Sequence, residues 1–405
     1  METILFIETT KSGSSREALK AAAGLGYRTV LLTERMSFIK QQDEFTEVAQ
    51  MIHLEELTEE QIRISISQLQ KQRDIIKTII SFVDPFVSLA AQLANEYCGA
   101  EISVEALRIM EDKAATRKEL KQNKATPAFE IIEPTVDMEQ LIYKDYKYPI
   151  IVKSALSKAS KDVYVVENKV EMKKIMKKMM KQDPDQKIIL EEYLDGPQYL
   201  VEVLVHNEKS TIVAIVQQEI TKTIKFIVTG YAIELDVEGE FYQKLVQAVE
   251  SIIKDLNITN AACHLECRYV NGEWKLIEMN PRIAGGAMNR MIEEAYCIHL
   301  VKETIKLYLG IEPNLTRKYE KSIYTHYITI GSCGYLLKVI GEQKATAQPG
   351  VKEVYIKPRK GTIMMPALSM GHRYGYVIAS GDTPEEAKIN AVNAASHIKF
   401  YLEPL

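Results

Sequence analysis

The sequence of 405 residues lacks a glycine-rich P-loop, a CxxC pair and any apolar run long enough to span a bilayer. Its five cysteines, Cys98, Cys263, Cys267, Cys297 and Cys333, are odd in number, which argues against a disulfide framework and for free thiols in a reducing compartment. Cys263 and Cys267 flank His264, but on an alternating strand they share the face opposite to it, so the three do not make a zinc site. No signal-peptide pattern opens the chain, and a cytoplasmic location is the expectation. A net charge of −4 is too nearly balanced to draw nucleic acid or an anionic membrane. No nucleophilic Ser or Cys constellation, internal repeat or low-complexity linker is present. The loop from Thr9 to Ser15 has one glycine and falls short of a dinucleotide fingerprint; Ser14 or Ser15 is expected to cap the helix that follows.

What is there suits a sizeable globular chain. Hydrophobic residues make up 46% of the sequence, and its length corresponds to two to four domains. At the N terminus, strands at Thr3–Glu8, Arg28–Thr33 and Ile79–Val83 alternate with helices at Ser14–Gly24 and Phe86–Tyr97, a pattern that predicts a parallel sheet. Met172, Ile175, Met176 and Met179 recur at helical spacing and read as a buried stripe, with Lys173, Lys174, Lys177, Lys178 and Lys181 turned outward. One long helix is expected from Ala287 to Leu309, ended by Gly310. Farther on, strands at Ser322–Ile330 and Tyr374–Ser380 precede a helix that begins at Pro384, with Thr383 and Glu386 as a capping box.

The chemistry concentrates between His264 and Gly286. Ala262–Val270 and Trp274–Asn280 read as two strands around Asn271-Gly272. Alternation puts Glu266 with His264 and Arg268 on one face, and Glu278 with Leu276 and Asn280. A two-residue loop would set Ile277 opposite Glu266; a three-residue loop with Gly272 in the left-handed region sets Glu278 there, and this register is the expectation. Facing carboxylates repel, and a cation between them relieves the repulsion. Glu266, Glu278 and the Asn280 amide are hard oxygen ligands suited to Mg²⁺, with Mn²⁺ as an alternative. Arg282 is placed to hold a transferring phosphoryl group. Gly285 and Gly286 let a substrate carboxylate approach a helix N-terminus beside it, and His264, on the Glu266 face, is either a border of the same site or a satisfied strand histidine. In the segment Thr223–Leu235, Lys225 and Tyr231 are candidates to lie over the substrates.

The run Glu278-Met279-Asn280-Pro281-Arg282, after a strand that bears Glu266, resembles the ATP-grasp superfamily of carboxylate–amine ligases. Asp112-Lys113 before a helix, Tyr148–Lys153 and the hinge-like stretch Ile188–Gln198 agree with it in order. Asn280–Gly286 and the segment Gly361–Leu405 are similar to the L-amino acid ligase (dipeptide synthase) branch. The resemblance implies a fold class of α/β plus α+β: a Rossmann-like parallel-sheet domain (1–110), an ATP-grasp domain of two α+β subdomains (111–310) and a small C-terminal α+β domain (311–405). It also implies that Lys113 and Lys153 touch ATP phosphates. Glu191 is expected near the adenine amino group, beside Glu192, with Tyr193 and Leu194 giving backbone contacts and an apolar wall. Gln198 takes the ribose position where many relatives have Glu.

One departure stands out. The family's lid loop is rich in glycine, whereas residues 154–162 have none; Ser157, Ser160, Lys158 and Lys161 are the candidates to contact phosphate instead. The implied reaction joins the carboxylate of one L-amino acid to the amine of another through an acyl phosphate, giving a dipeptide, ADP and phosphate. The implied partners are ATP and amino acids, with neither nucleic acid nor membrane, and a homodimer is left open. The alternatives are another ATP-grasp ligase, a carboxylase, or a nucleotide-binding regulator without turnover.

Overall fold

In the computed structural model, the structure describes residues 1–135, 145–155, 162–222, 226–235 and 237–405. The N-terminal strands are apolar on both faces, as a sheet covered on both sides requires. They form a four-stranded parallel sheet in the order Gln50–His53, Arg28–Thr33, Glu2–Ile7, Ile75–Ile80. The last strand thus lies earlier than the expected Ile79–Val83. The helix Ser14–Gly24 is where the sequence puts it, but neither serine caps it. Gly13 is its N-cap with φ +85°, and the Ser15 hydroxyl instead accepts from the Thr10 amide at 3.1 Å. A residue with φ in that region favours glycine, and the tight turn takes the capping position from the serines.

Residues 113–192 hold a small antiparallel sheet in the order Phe129–Ile132, Ile188–Glu192, Ile150–Ser154, Val163–Val166. The helix Lys169–Gln182 covers it with Met172, Met176 and Met179, each fully buried, and the Asn168 side chain caps its start. Truncating one of these methionines to Ala would cost about 2–5 kcal/mol.

The main sheet has eight strands: Glu273–Asn280, Ala261–Val270, Gln198–His206, Lys209–Lys222, Phe226–Ile233, Ser322–Ile328, Gly375–Gly381 and Val351–Ile356. Its last three strands come from beyond residue 310, so the expected C-terminal domain does not have its own separate main sheet; Gly230, Tyr231 and Ala232 pair with His326, Thr325 and Tyr324. A three-stranded sheet, Ile363–Met364, Gly334–Ile340, Lys399–Glu403, completes that end. The helix Pro384–Ser396 packs Ala387, Ala391 and Ala394 inward. Thr383 accepts from the Glu386 amide, while Glu386 bonds back to Asp382 rather than to Thr383, one residue off a capping box.

The expected helix Ala287–Leu309 is two helices, Met288–Tyr296 and Leu300–Tyr308. Cys297 between them takes φ +60°, and a residue in the left-handed region ends a helix. Gly310, at φ +71°, ends the second. Among the described residues, no helix is long and apolar enough to cross a membrane.

Candidate active site

The acid hairpin has the expected outcome and a different device. Glu266 pairs with Glu278 and His264 with Asn280. The loop, however, is the two-residue one: Val270 pairs with Glu273, and Asn271 and Gly272 have φ +51° and +80°, both positive as a type I′ turn demands. A bulge at Ile277 restores the register, since Cys267 pairs with Leu276 and the next pair is Glu266 with Glu278. Leu276 therefore joins the buried face of Cys267, against the expectation that it shares a face with Glu278.

The bulge frees two carbonyls, and Arg117 takes them. Its Nη2 donates to Leu276 O at 2.9 Å and to Ile277 O at 2.6 Å, while its Nε donates to Glu191 at 2.6 Å. Lys153 Nζ lies 2.8 Å from the same Glu191 carboxylate and 3.4 Å from Ile277 O. Lys153 stands near the end of strand Ile150–Ser154, and Arg117 sits one turn after Lys113 on the helix that Asp112 caps. Burial pushes the Glu191 carboxyl up, but Arg117 and Lys153 outweigh it and hold it below the ordinary range. Burial draws the Lys153 ammonium down against the pull of Glu191. The Glu191 carboxylate is thus committed to two cations.

Glu266 is driven the other way. Desolvation and the facing Glu278 both raise its carboxyl, with His264 and Lys113 opposing. Lys113 Nζ sits 3.2 Å from Glu278. Two facing carboxylates and the Asn280 amide are hard oxygen donors of the kind that suit a divalent ion. Among the described residues, no three His, Cys, Asp or Glu groups form a metal cluster by themselves. A cation here would therefore use the amide and nucleotide oxygens as well.

His264 is held rather than loose. Its Nδ1 lies 2.6 Å from Glu202, which is fully buried and also accepts from the Ala284 amide at 3.1 Å. Burial opposes a charged imidazole, but Glu202 and Glu266 raise it above the ordinary histidine range. Arg282 donates to Asp84 from Nε at 3.1 Å and from Nη2 at 2.8 Å, a link to the N-terminal part. Gly286, at φ +67°, abuts the first loop: a Cβ added to Gly13 would come 3.3 Å from its amide. Gly285 has open space at the same point.

The hinge residues are strapped together. Gln198 donates to Glu266 at 3.3 Å and accepts from Arg268, and Arg268 donates to Leu194 O and lies over the Tyr193 ring. Glu192 is exposed and accepts from the Ala128 amide. Tyr231 is buried, crosses Tyr327 edge-on at 5.3 Å, and stands on a central strand of the sheet. Ser157, Lys158, Ser160, Lys161 and Lys225 lie outside the described residues.

The structure adds Arg117, Glu202, Asp84 and Arg268 to the site. Arg117 had a signal, its i+4 spacing from Lys113, and Glu202 shares a strand face with Gln198. Asp84 had none, because its partner is distant in sequence.

Known proteins share this fold. Residues 146–290 match the family model of the ATP-grasp domain, and residues 326–403 match that of L-amino acid ligase C-terminal domain 2. The chain carries an ATP-grasp domain followed by an L-amino acid ligase C-terminal domain. Its C-terminal part resembles the second C-terminal domain of L-amino acid ligases. The fold is similar to that of L-amino acid ligase from Bacillus licheniformis, with a TM-score of 0.82 at 18% identity over 100% of this chain and 99% of that one. It is also similar to phosphoribosylglycinamide synthetase from Anaerococcus prevotii, with a TM-score of 0.77 at 15% identity over 99% and 100% of the two chains. The uncharacterized protein y4rH of Sinorhizobium fredii is 23% identical over 271 residues, 65% of this chain and 55% of that protein. The matches span only 25% to 55% of the length of the curated relatives.

Proposed function

We propose that this protein is a dipeptide-forming ligase that uses ATP to join two L-amino acids. The observation that carries the reading is the pair Glu266 and Glu278, brought face to face beside Lys113 and Lys153, in a chain with an L-amino acid ligase C-terminal domain. Glu266, Glu278 and Asn280 would hold Mg²⁺, which neutralises phosphate charge and polarises the bond to be broken.

The protein's own residues supply the rest. Lys113 and Lys153 meet the nucleotide phosphates, and the segment Glu191–Leu194 borders the adenine, with Gln198 toward the ribose. A carboxylate oxygen of the first amino acid attacks the γ-phosphorus of ATP, the bond to the β,γ-bridging oxygen breaks, and an acyl phosphate and ADP form. Arg282 exchanges its Asp84 partner for the transferring phosphoryl oxygens. The amine of the second amino acid then attacks the acyl carbon, the carbon–oxygen bond to phosphate breaks, and the amine gives up a proton as the amide forms. Gly285 and Gly286 let the first substrate approach the backbone, and His264, fixed by Glu202, borders it.

Phosphate release from Mg-ATP, measured with the twenty amino acids singly and in pairs and with mass detection of products, tests this. Release that needs two amino acids and yields their dipeptide supports the reading. Dependence on bicarbonate would point to a carboxylase, and tight ATP binding with no release to a regulator; either result overturns it.

A further inference from the structure

The three-stranded sheet at the C-terminal end leaves one apolar face open among the described residues. Its strands Ile363–Met364, Gly334–Ile340 and Lys399–Glu403 turn Leu336, Phe400 and Leu402 inward. Strand pairing fixes what the other face carries. Tyr335 pairs with Ile363 on one side and with Glu403 on the other; after a bulge at Leu337, Lys338 pairs with Tyr401 and Ile340 with Lys399. Directly paired residues share a face, so Tyr335, Ile340, Ile363 and Tyr401 stand together. With Leu337 in the bulge beside them, each is between 42 and 51% exposed. Lys338 Nζ lies 4.8 Å over the Tyr401 ring. A monomer in water seldom gathers large apolar side chains on one open face unless something docks there.

The charges on this face say what docks. Lys399 and Glu403 are exposed at the two ends of the last strand, equally far from Tyr401, and neither has an ion pair among the described residues. A two-fold axis beside Tyr401, at right angles to the strand, reverses the strand in a second copy. It sets Lys399 of each copy against the partner's Glu403, brings the two Tyr401 rings together and covers the apolar side chains of both. The face is complementary to itself, as an isologous contact requires. Moving the axis along to Phe400 would set Lys399 against Tyr401 and leave Glu403 unmatched.

We propose that this face is an interface between two copies of the chain, centred on Tyr401 and aligned by the reciprocal pairing of Lys399 with Glu403. Assembly of this kind is independent of the ligase reading.

The contact is small for an interface, so a dissociation constant in the micromolar range is expected. Sedimentation velocity of the full chain, from low to high micromolar concentration, reads it. The wild type should pass from monomer to dimer, and Tyr401→Asp should stay monomeric throughout. Lys399→Glu and Glu403→Lys should each weaken the dimer by about tenfold or more, because two attractions become two repulsions. An equal mixture of those two variants restores both attractions and should form a heterodimer close to the wild-type dimer in strength. Mixing does not mend a folding defect, so the mixture decides the matter if Tyr401→Asp is unstable. A wild type that remains monomeric at high micromolar concentration overturns the inference. So does a dimer that neither charge reversal weakens, or a weakened pair that mixing does not rescue.

Discussion

Glu191 and Glu266 are both carboxylates withdrawn from water, both close to Lys153, and their surroundings push them in opposite directions. Glu191 has Arg117 and Lys153 in contact and is held ionised, so its region is charge-satisfied before any ligand arrives. Glu266 faces another carboxylate, with Lys113 against Glu278, and on the proposed reading an added cation completes its region. The first region is scaffold: it ties the helix after Asp112, the small sheet and the bulge into one unit. The second is the place where binding changes the energy. On the proposed reading, function sits where the charges are left unbalanced, next to a region where they are balanced closely enough to hold the geometry.

Four results would break or sharpen that contrast. Glu278→Ala should lower turnover by about 10³-fold or more, because a bound cation supplies several kcal/mol of transition-state stabilisation. Its thermal midpoint should stay near that of the wild type, since a facing negative charge has been removed; steady-state phosphate release and a melting curve measure both. Glu191→Gln should do the reverse in emphasis and cost about 3–5 kcal/mol of stability, because two buried cations lose their anion. A denaturant titration showing no loss would mean that this triad is not a scaffold.

The third result is a pH effect with a fixed sign. The Glu191 carboxyl is depressed in the folded protein, so its stabilisation is present above the ordinary carboxylate range and is lost as pH falls through its folded value. The stability gap between wild type and Glu191→Gln should be full at neutral pH and should narrow below about pH 4. A gap that widens in acid would contradict the assigned ion pairs. The smallest effect is expected at the turn. Gly272→Ala, at φ +80°, should cost about 1–2 kcal/mol while turnover stays close to normal, because the bulge and not the loop length aligns the acids. Loss of turnover at unchanged stability would return the register to the loop.

Local signals made much of this molecule legible. The strand Arg28–Thr33, the helix Ser14–Gly24 and the methionine stripe follow from apolar periodicity alone. The facing of Glu266 and Glu278 was also legible, but only as a chemical requirement. The two-residue turn was readable in Asn271-Gly272, and the bulge that reconciles it with the acids was not, because its carbonyls are satisfied by Arg117 from another part of the chain. The same holds for Glu191, whose partners are set by sheet pairing, and for Asp84, which meets Arg282 across 198 positions of sequence. The break at Cys297 was hidden because the helical pattern on either side continues through it. The sheet shared across residue 310 depends on which strands meet, and strand composition does not encode that.

The central claim is that one cation completes the acid hairpin when nucleotide is bound. Electron paramagnetic resonance of Mn²⁺ titrated into the protein with ADP, compared for wild type, Glu266→Gln and Glu278→Gln, measures it directly. The account predicts one nucleotide-dependent Mn²⁺ bound by the wild type and at least tenfold weaker binding in each variant. Equal Mn²⁺ binding by all three proteins would contradict it.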